Sequence, residues 1–300
     1  PGVSELLPGM VASEQIVGNY WGGAVQIGAT KIKSMIIEIV DTPVLPKDFQ
    51  GDFLIAGYFA RNIARLRPTV NGAGHKLQTL APVLTSTHNA FRPVDLNTGP
   101  DGALYVADWF NPIIGHYQAS LRHPDRDKKH GRIWRITTKG QPLLKPPALA
   151  KMNAAQLCNQ LSAPLRRTRK LAKLRLMDLP KAKAIAATQQ WVDALKPTDP
   201  ALEAKLFEAI GVFESHEVVD RPLLERLLTS KDYRARAYAT RVVGRWHDRL
   251  KNPLALLRRS ATDEHSRVRL EAIVAASDVR EAESIAIAAQ AADGSADRFI

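Results

Sequence analysis

Two kinds of hydrophobic pattern divide this chain near residue 140. Before that point, short apolar runs are separated by Gly and Pro, which is the pattern of β-strands joined by turns. After it, apolar residues recur at positions i, i+3, i+4 and i+7, the spacing of one face of an α-helix. The sequence therefore predicts a β-rich half followed by an all-α half.

Five strands are predicted in the first half: Ile32–Val40, Phe53–Phe59, Phe91–Leu96, Ala103–Trp109 and Arg132–Thr137. A tight hairpin is expected at Gly99-Pro100-Asp101-Gly102, because Pro fixes φ, Asp caps the turn and Gly accepts a positive φ. In the next strand, Leu104 and Val106 alternate with Tyr105 and Ala107, which places the two pairs on opposite faces. Short strands at this spacing are typical of a sandwich, a barrel or a propeller.

Nine helices are predicted in the second half. They are Ala154–Ser162, Pro164–Asp178, Lys181–Leu195, Ala201–Phe213, Arg221–Leu228, Tyr233–Trp246, Pro253–Ser260, His265–Ala276 and Glu281–Ala292. The Pro-rich stretch from Lys139 to Ala148 predicts a linker. We therefore place one domain at residues 1–140 and the other at residues 151–300, with residues 141–150 between them.

An internal repeat is visible among these helices. The motif Arg236-Ala237-x-Ala239 returns further along the chain as Arg269-Leu270-x-Ala272, and Leu206-Phe207-x-Ala209 is a weaker copy that precedes both. Helix pairs at this interval predict a stacked α-solenoid of the HEAT type, and a plain helical bundle is the alternative. Solenoids mostly bind other proteins or brace a neighbouring domain, so this half predicts a scaffold, in which Arg236 and Arg269 brace adjacent repeats.

Charge and cysteine content narrow the function classes. The formal net charge is +12, but the excess is spread over both halves, and only Arg166–Lys170 is a dense basic stretch. On a helix, Leu165, Thr168, Ala172 and Leu176 would share the buried face opposite these charges. No aromatic platform accompanies the basic residues, so nucleic-acid binding is not favoured. No apolar run is long enough to span a bilayer.

Cys158 is the single cysteine of the chain. An internal disulfide, a Cys-only zinc site and the attachment of a c-type haem each need at least two cysteines, so this chain contains none of them. Its position within a helical pattern predicts a small core residue.

The block from Phe91 to Ile136 resembles a known family. Its motifs are Phe91-Arg92-Pro93-Val94-Asp95, Gly99-Pro100-Asp101-Gly102-Ala103-Leu104-Tyr105, Ala107-Asp108-Trp109, Asn111-Pro112-Ile113-Ile114-Gly115-His116, Arg126-Asp127 and His130-Gly131-Arg132-Ile133-Trp134-Arg135-Ile136. Together they resemble the PVC-type haem-binding, membrane-bound dehydrogenase family. Those proteins join a β-propeller related to glucose/sorbosone dehydrogenases to HEAT-like helices and a c-type haem domain.

The resemblance implies that residues 1–140 are the C-terminal blades of a partial β-propeller and that residues 151–300 form an all-α, HEAT-like solenoid. It also implies a dehydrogenase that uses c-type haem, a quinone or Ca²⁺, acts on a carbohydrate or an alcohol, and works in the periplasm or at the cell surface. The sequence has no Cys-x-x-Cys-His haem motif, and its strands before Phe91 supply only two or three blades. We therefore expect a piece of a longer protein that is inactive alone.

The candidate site lies on the segments that flank the hairpin. His116 and Asp108 are the candidate catalytic residues, since a His near an Asp is suited to act as a general base in alcohol oxidation. The candidate substrate- or cofactor-binding residues are Arg92, Asp95, Trp109, Asn111 and His88. Arg clamps a carboxylate or a hydroxyl-rich ligand, Trp offers a face to a ring, and Asp and Asn oxygens suit Ca²⁺, although no metal-ligand set is identified.

Structural roles explain the same residues. Asp and Asn side chains commonly cap loops, tryptophans pack between sheets, and histidines are satisfied by loop contacts. Two functions from different classes therefore remain. One is a fragment of a sugar or alcohol dehydrogenase-like protein with a helical scaffold, and the alternative is a non-catalytic carbohydrate- or protein-binding propeller with an α-solenoid interaction arm.

Overall fold

The computed structural model describes residues 10–12, 25–27, 30–32, 34–113, 122–293, 297 and 299–300, with side chains from residue 36 onward. It divides into two compact units. Unit 1 comprises Pro1–Val70 and His75–Pro146, and unit 2 comprises Asn71–Gly74 and Pro147–Ile300.

The ten described strands belong to unit 1, except for the strand-end residues Asn71 and Gly74. They are β1 (Met10–Ala12), β2 (Val25–Ile27), β3 (Thr30–Ile32), β4 (Ser34–Ile39), β5 (Phe53–Gly57), β6 (Asn62–Asn71), β7 (Gly74–Thr85), β8 (Pro93–Thr98), β9 (Leu104–Asp108) and β10 (Arg132–Ile136). They form sheets in the orders β1-β2-β3, β4-β5-β6-β7 and β10-β9-β8. The predicted β-rich half is confirmed. The described strands close into neither a barrel nor a propeller, because they supply one four-stranded sheet where a closed propeller needs at least four.

The sheet β4-β5-β6-β7 and the sheet β10-β9-β8 share one hydrophobic core. Leu54 and Ile63 from β5 and β6 pack with Leu96, Leu104 and Val106 from β8 and β9, and all five are fully buried. Tyr105 and Ala107, which alternate with the buried pair on β9, are only partly buried. The predicted two-faced strand is confirmed.

The predicted hairpin joins β8 to β9. Gly102 has a φ of +82°, and its N–H donates to the Gly99 carbonyl over 3.0 Å. A Cβ at Gly102 would lie 2.8 Å from Thr42 Oγ1, which donates to the Gly102 carbonyl. The position therefore requires Gly for its backbone angle and for the close approach of the loop that carries Thr42.

A buried ion-pair cluster fixes the start of β5 against β6. Asp52 has 1% of its side chain exposed and accepts from Arg65 Nε over 2.6 Å and from Arg67 Nε over 2.9 Å. Burial raises the pKa of Asp52, but the hydrogen bonds from Arg67 and Arg65 outweigh it and lower the pKa below the usual value. The carboxylate is therefore ionised and satisfied.

Nine α-helices lie in the described part of unit 2. They are α1 (Ala154–Gln160), α2 (Arg166–Met177), α3 (Lys181–Asp193), α4 (Leu202–Ser215), α5 (Arg221–Leu228), α6 (Tyr233–Arg245), α7 (Pro253–Ala261), α8 (Ser266–Asp278) and α9 (Ala282–Ala292). Each predicted helix is present, with ends that differ by at most a few residues. Leu165, Thr168, Ala172 and Leu176 are buried, so the predicted inner face at α2 is confirmed.

The repeat keeps a constant period over three successive helix starts. Asp199, Asp232 and His265 are equally spaced, and each accepts the backbone N–H of the residue two positions further on, at 2.8, 2.8 and 3.1 Å. Asp232 and His265 are the N-caps of α6 and α8, and Asp199 makes the same kind of bond three residues before α4 begins. The copy of the Arg236 motif that the sequence predicted at Leu206 is wrong, because the capping register aligns Leu206 with Ala239.

Three arginines hold equivalent loops. Arg169, Arg236 and Arg269 each donate from Nη1 to the two carbonyl groups five and six residues before them. Arg236 also forms an ion pair with Asp263, at the start of the next repeat. The predicted bracing is confirmed for Arg236, whereas these Nη1 bonds of Arg269 tie the loop before its own helix.

Candidate functional site

Asp108 lies at the end of β9 and connects three parts of unit 1. Its Oδ1 accepts from the backbone N–H groups of Arg92 (2.8 Å) and Phe110 (2.9 Å), and its Oδ2 accepts from Trp134 Nε1 (3.1 Å). Arg132 Nε lies 3.5 Å from the same Oδ2. Only 3% of Asp108 is exposed. Both oxygens are thus used to hold neighbouring backbone and side chains, which is the structural role for this residue.

Arg92 is the most buried cation of the predicted set, with 6% of the residue exposed. Its Nη1 donates to the Phe91 carbonyl over 2.8 Å, and its Nε is a buried donor with no hydrogen-bond partner among the described residues. Burial lowers the pKa of Arg92, and the nearby charge of Arg61 lowers it further. An unused, desolvated guanidinium donor is suited to an anionic or carbonyl oxygen.

Two aromatic residues lie near Arg92, whose backbone carbonyl accepts from the Trp109 N–H over 2.9 Å. Trp109 is 40% exposed and stacks on Tyr58, with ring centroids 6.1 Å apart and 12° between the planes. Burial raises the pKa of Tyr58, while the charges of Arg92 and Arg126 act to lower it. Arg92 and Trp109 are therefore brought together around Tyr58, a residue that the sequence analysis did not select. Tyr58 was missed because it lies in a turn well before the recognised block.

Four candidates remain, and three of them are described. Asn111 is buried and fastens a loop, since its Oδ1 accepts from Ile113 N and its Nδ2 donates to the Asp127 carbonyl. His88 lies with its ring 5.4 Å from that of Phe110, and its Nδ1 accepts from a nearby backbone N–H. Asp95 bonds to its strand neighbours. His116 lies outside the described residues, so its predicted pairing with Asp108 stays a prediction.

Asp127 holds the turn that precedes β10. Its carboxylate accepts from the backbone N–H groups of Lys129 and His130 and lies 2.8 Å from His130 Nδ1. These hydrogen bonds lower the pKa of Asp127. Both side chains of this His–Asp pair are bound to the loop itself, so the pair stabilises the loop. Within the described ranges, no three His, Cys, Asp or Glu side chains form a group that could hold a metal ion.

A second candidate surface runs along one layer of unit 2. Helices α2, α4, α6 and α8 contact one another in that order. A carboxylate lies at each junction: Glu208 pairs with Arg169 and Lys173, Glu214 with Arg245 and Tyr238, and Glu271 with Arg241. We call this row of paired side chains the ladder. Burial and the Glu214 carboxylate raise the pKa of Tyr238, so its hydroxyl remains a donor to that carboxylate.

The ladder leaves this layer basic. Its four helices contain thirteen Lys or Arg residues and five Asp or Glu residues, whereas the five other helices contain six and three. The carboxylates of Glu208, Glu214 and Glu271 are mostly buried, while the cations paired with them are more exposed. The face of α2, α4, α6 and α8 therefore presents guanidinium and ammonium groups to the solvent. Sequence reasoning found the basic stretch of α2, but the ladder joins residues of different helices and had no local signal.

Comparison with known proteins gives two partial matches. A family model described as a domain of unknown function, DUF7133, matches residues 32–140. A model of HEAT repeats matches residues 219–300, which contain α5 to α9. No curated protein and no solved structure matched the chain. The HEAT-like nature of the helical repeats is thus confirmed, and no helix in the described ranges has the length and apolar character needed to cross a bilayer.

Proposed function

We propose that this chain is an interaction scaffold whose helical unit binds a protein partner through the face of α2, α4, α6 and α8. The observation that supports this most is the ladder. It buries the carboxylates of Glu208, Glu214 and Glu271 in ion pairs and leaves the basic ends of the pairs towards the solvent. HEAT repeats commonly present such a continuous surface to other proteins.

Site-specific photocrosslinking tests this proposal. A photoreactive amino acid is introduced in the full chain at Lys170 on α2 or Val274 on α8, both exposed on the proposed face. Ile285 on α9, which is 74% exposed, serves as the control position. We expect protein adducts from the first two positions and none from Ile285 in cells that express the chain. Adducts of equal yield from all three positions, or from Ile285 alone, would contradict the proposal.

A second proposal concerns unit 1. We propose that it is the end of a dehydrogenase-like β-propeller of the PVC-type family that acts on a carbohydrate or an alcohol. Two features support it: the motifs from Phe91 to Ile136, and the buried Arg92 donor, whose residue bonds to the Trp109 backbone and whose charge acts on Tyr58. Exposed rings suit a sugar or a quinone, and the guanidinium suits its oxygens.

The cofactors implied by the family fit these residues unequally. A quinone would find a donor in Arg92 and a ring face in Trp109. The oxygens of Asp108 and Asn111 already accept N–H groups, so they do not fit a Ca²⁺ site. Covalent c-type haem does not fit this chain, whose one thiol, Cys158, is buried in α1.

A dye-reduction assay tests the second proposal. The protein extended beyond both ends of this chain is offered sugars and alcohols, with and without quinone and Ca²⁺. We expect turnover that is lost in Arg92→Gln and kept in Asp48→Asn, whose carboxylate is 69% exposed. Absence of turnover under every condition would contradict it. The periplasmic or cell-surface location is part of the same proposal, and cell fractionation checks it.

A further inference from the structure

A groove of about 420 Å³ lies between α6 and α8, within the basic face. The two helices approach closely at Gly244, where a Cβ would lie 2.9 Å from both Cα and Cβ of Ala275. Next to this contact, side chains of both helices line the groove. The volume is within the range of small-ligand and peptide side-chain sites.

The floor of the groove is aliphatic. Leu270 and Val274 lie one helical turn apart on α8 and line it, and Val274 is 51% exposed. An exposed Val beside a buried helix contact is a place where an apolar side chain of a ligand would be removed from water. The described lining of the groove includes no aromatic ring, so it offers no platform on which a nucleic-acid base would stack.

The rim of the groove is cationic. Arg241, Arg245 and Arg267 line it, and the nearby Glu271 is only 5% exposed and is paired with both Arg241 and Arg267. Arg245 binds Glu214 through Nη1, and a guanidinium has five N–H donors, so further donors of Arg245 remain for a ligand. Asp278, at the end of α8, is the other acid of the lining. The charges therefore favour a ligand that brings carboxylates to the arginines.

We propose that this groove binds an acidic peptide segment of a partner protein, with carboxylates on Arg241 and Arg245 and an aliphatic side chain on Leu270 and Val274. The inference rests on the proposed interaction function and names the chemistry of the partner. Charge complementarity selects an acidic segment, and the aliphatic floor distinguishes it from a polyanion without apolar groups. Binding of this kind weakens as salt rises, because the rim arginines are partly exposed.

Fluorescence anisotropy of the full chain tests the groove directly. The probe is a short fluorescein-labelled peptide built of Glu-Glu-Leu repeats. Its controls are Glu-Glu-Ser repeats, Lys-Lys-Leu repeats and a polyuridine oligonucleotide. We expect the Glu-Glu-Leu peptide to bind about tenfold more tightly than the Glu-Glu-Ser peptide, a difference of ~1.4 kcal/mol. The Lys-Lys-Leu peptide should not bind.

Matched variants locate the binding. We expect Arg245→Ala and Val274→Ser each to weaken the Glu-Glu-Leu peptide by about tenfold, since truncating an anchor or its charged partner commonly costs this much. Arg226→Ala and Ile285→Ser, exposed positions on α5 and α9, should leave its affinity unchanged. Circular dichroism and thermal unfolding of each variant check that the helices are intact.

Three results would overturn the inference: equal binding of Glu-Glu-Leu and Glu-Glu-Ser, equal affinity in wild type and Val274→Ser, or competition by the oligonucleotide at the same site. The last result would assign the groove to nucleic acid. If the peptide fails while crosslinks from Lys170 persist, the groove assignment is wrong and the interaction scaffold stands. If neither Lys170 nor Val274 gives crosslinks, the proposal of an interaction scaffold is itself wrong.

Discussion

The ring of His265 stacks on the ring of Tyr233, with centroids 3.5 Å apart and planes 4° from parallel. His265 is also the N-cap of α8, where its Nδ1 accepts the Arg267 N–H. A neutral imidazole can accept at Nδ1, whereas a protonated one cannot. The cap of this repeat is therefore sensitive to pH, unlike the Asp232 cap at the equivalent position of the preceding repeat.

We expect a lower pH to reduce the stability of the helical unit, because His265 becomes protonated. Burial lowers the pKa of His265 below its usual 6.5, so the unfolded chain takes up the proton more readily. The contribution of this residue to stability is fully present above pH 6.5 and falls as the pH drops through 6.5 towards the folded pKa. Urea unfolding followed by circular dichroism checks this. In His265→Asp, which copies the preceding cap, the decline over this acidic range should be smaller, and an unchanged decline would contradict the assignment.

Gly244→Ala should destabilise the helical unit by about 1–3 kcal/mol, because the new methyl group overlaps Ala275 in a packed interface. Gly211, one repeat earlier, is the matched control. Its Cβ would meet only Lys173 side-chain atoms at 3.6 Å, so Gly211→Ala should be neutral or stabilise by up to about 1 kcal/mol through helix propensity. Thermal unfolding of both variants is the measurement, and equal effects would show that the Gly244 contact is not tight.

Asp52→Asn should lower the free energy of unfolding by about 3 kcal/mol, because it leaves the buried Arg65 without its charged partner. This value is the lower end for breaking a buried ion pair, since the second partner, Arg67, is partly exposed and can be hydrated. Asp48, whose carboxylate is 69% exposed, contacts the same Arg65, and Asp48→Asn should cost less than about 1 kcal/mol. Since the pKa of Asp52 is lowered, its contribution persists until the pH falls below 3.8 and through the folded pKa. Denaturant unfolding of unit 1 at neutral pH compares the two variants, and similar losses would argue against the buried cluster.

Asp108→Asn separates a structural role from a catalytic one. The amide oxygen is still able to accept from Arg92 N and Phe110 N, but the amide NH₂ faces Trp134 Nε1 and cannot accept from it. We expect a stability loss of about 1–3 kcal/mol, and a smaller loss for Trp134→Phe, which removes one donor. Tyrosine and tryptophan fluorescence during unfolding reports both. A fully stable Asp108→Asn protein would return Asp108 to the list of catalytic candidates.

The helices were predictable because each carries its own apolar period, and caps such as Asp232 and first-turn residues such as Pro253 mark their starts. The long strands β6 and β7 were not predicted. Pro68 and Pro82 interrupt them, and much of each strand is exposed, so neither has a clean alternation. The weaker copy at Leu206 was misplaced because its match to the Arg236 motif rests on one identical residue, Ala209, while the backbone register follows a period that no short motif shows.

The sequence allowed us to predict that the candidate residues lie near one another, but not which hydrogen bonds each of them makes. Arg92, Asp108 and Trp109 do come together, as the block suggested. The function of Asp108 depends on Arg92 and Trp134, which lie on either side of it in the sequence, and no local motif records these partners. Tyr58 and the ladder likewise depend on tertiary contacts between segments that the sequence keeps apart.

Cys158 gives the chain an internal reporter. Its thiol is fully buried in α1, lies 3.7 Å from Thr188 Oγ1 of α3, and has a pKa raised by burial. A thiol reagent can therefore react only when α1 moves away from α3, and each molecule takes up one label. The labelling rate then measures how often the first helices open, while the rest of the molecule stays silent in the same experiment.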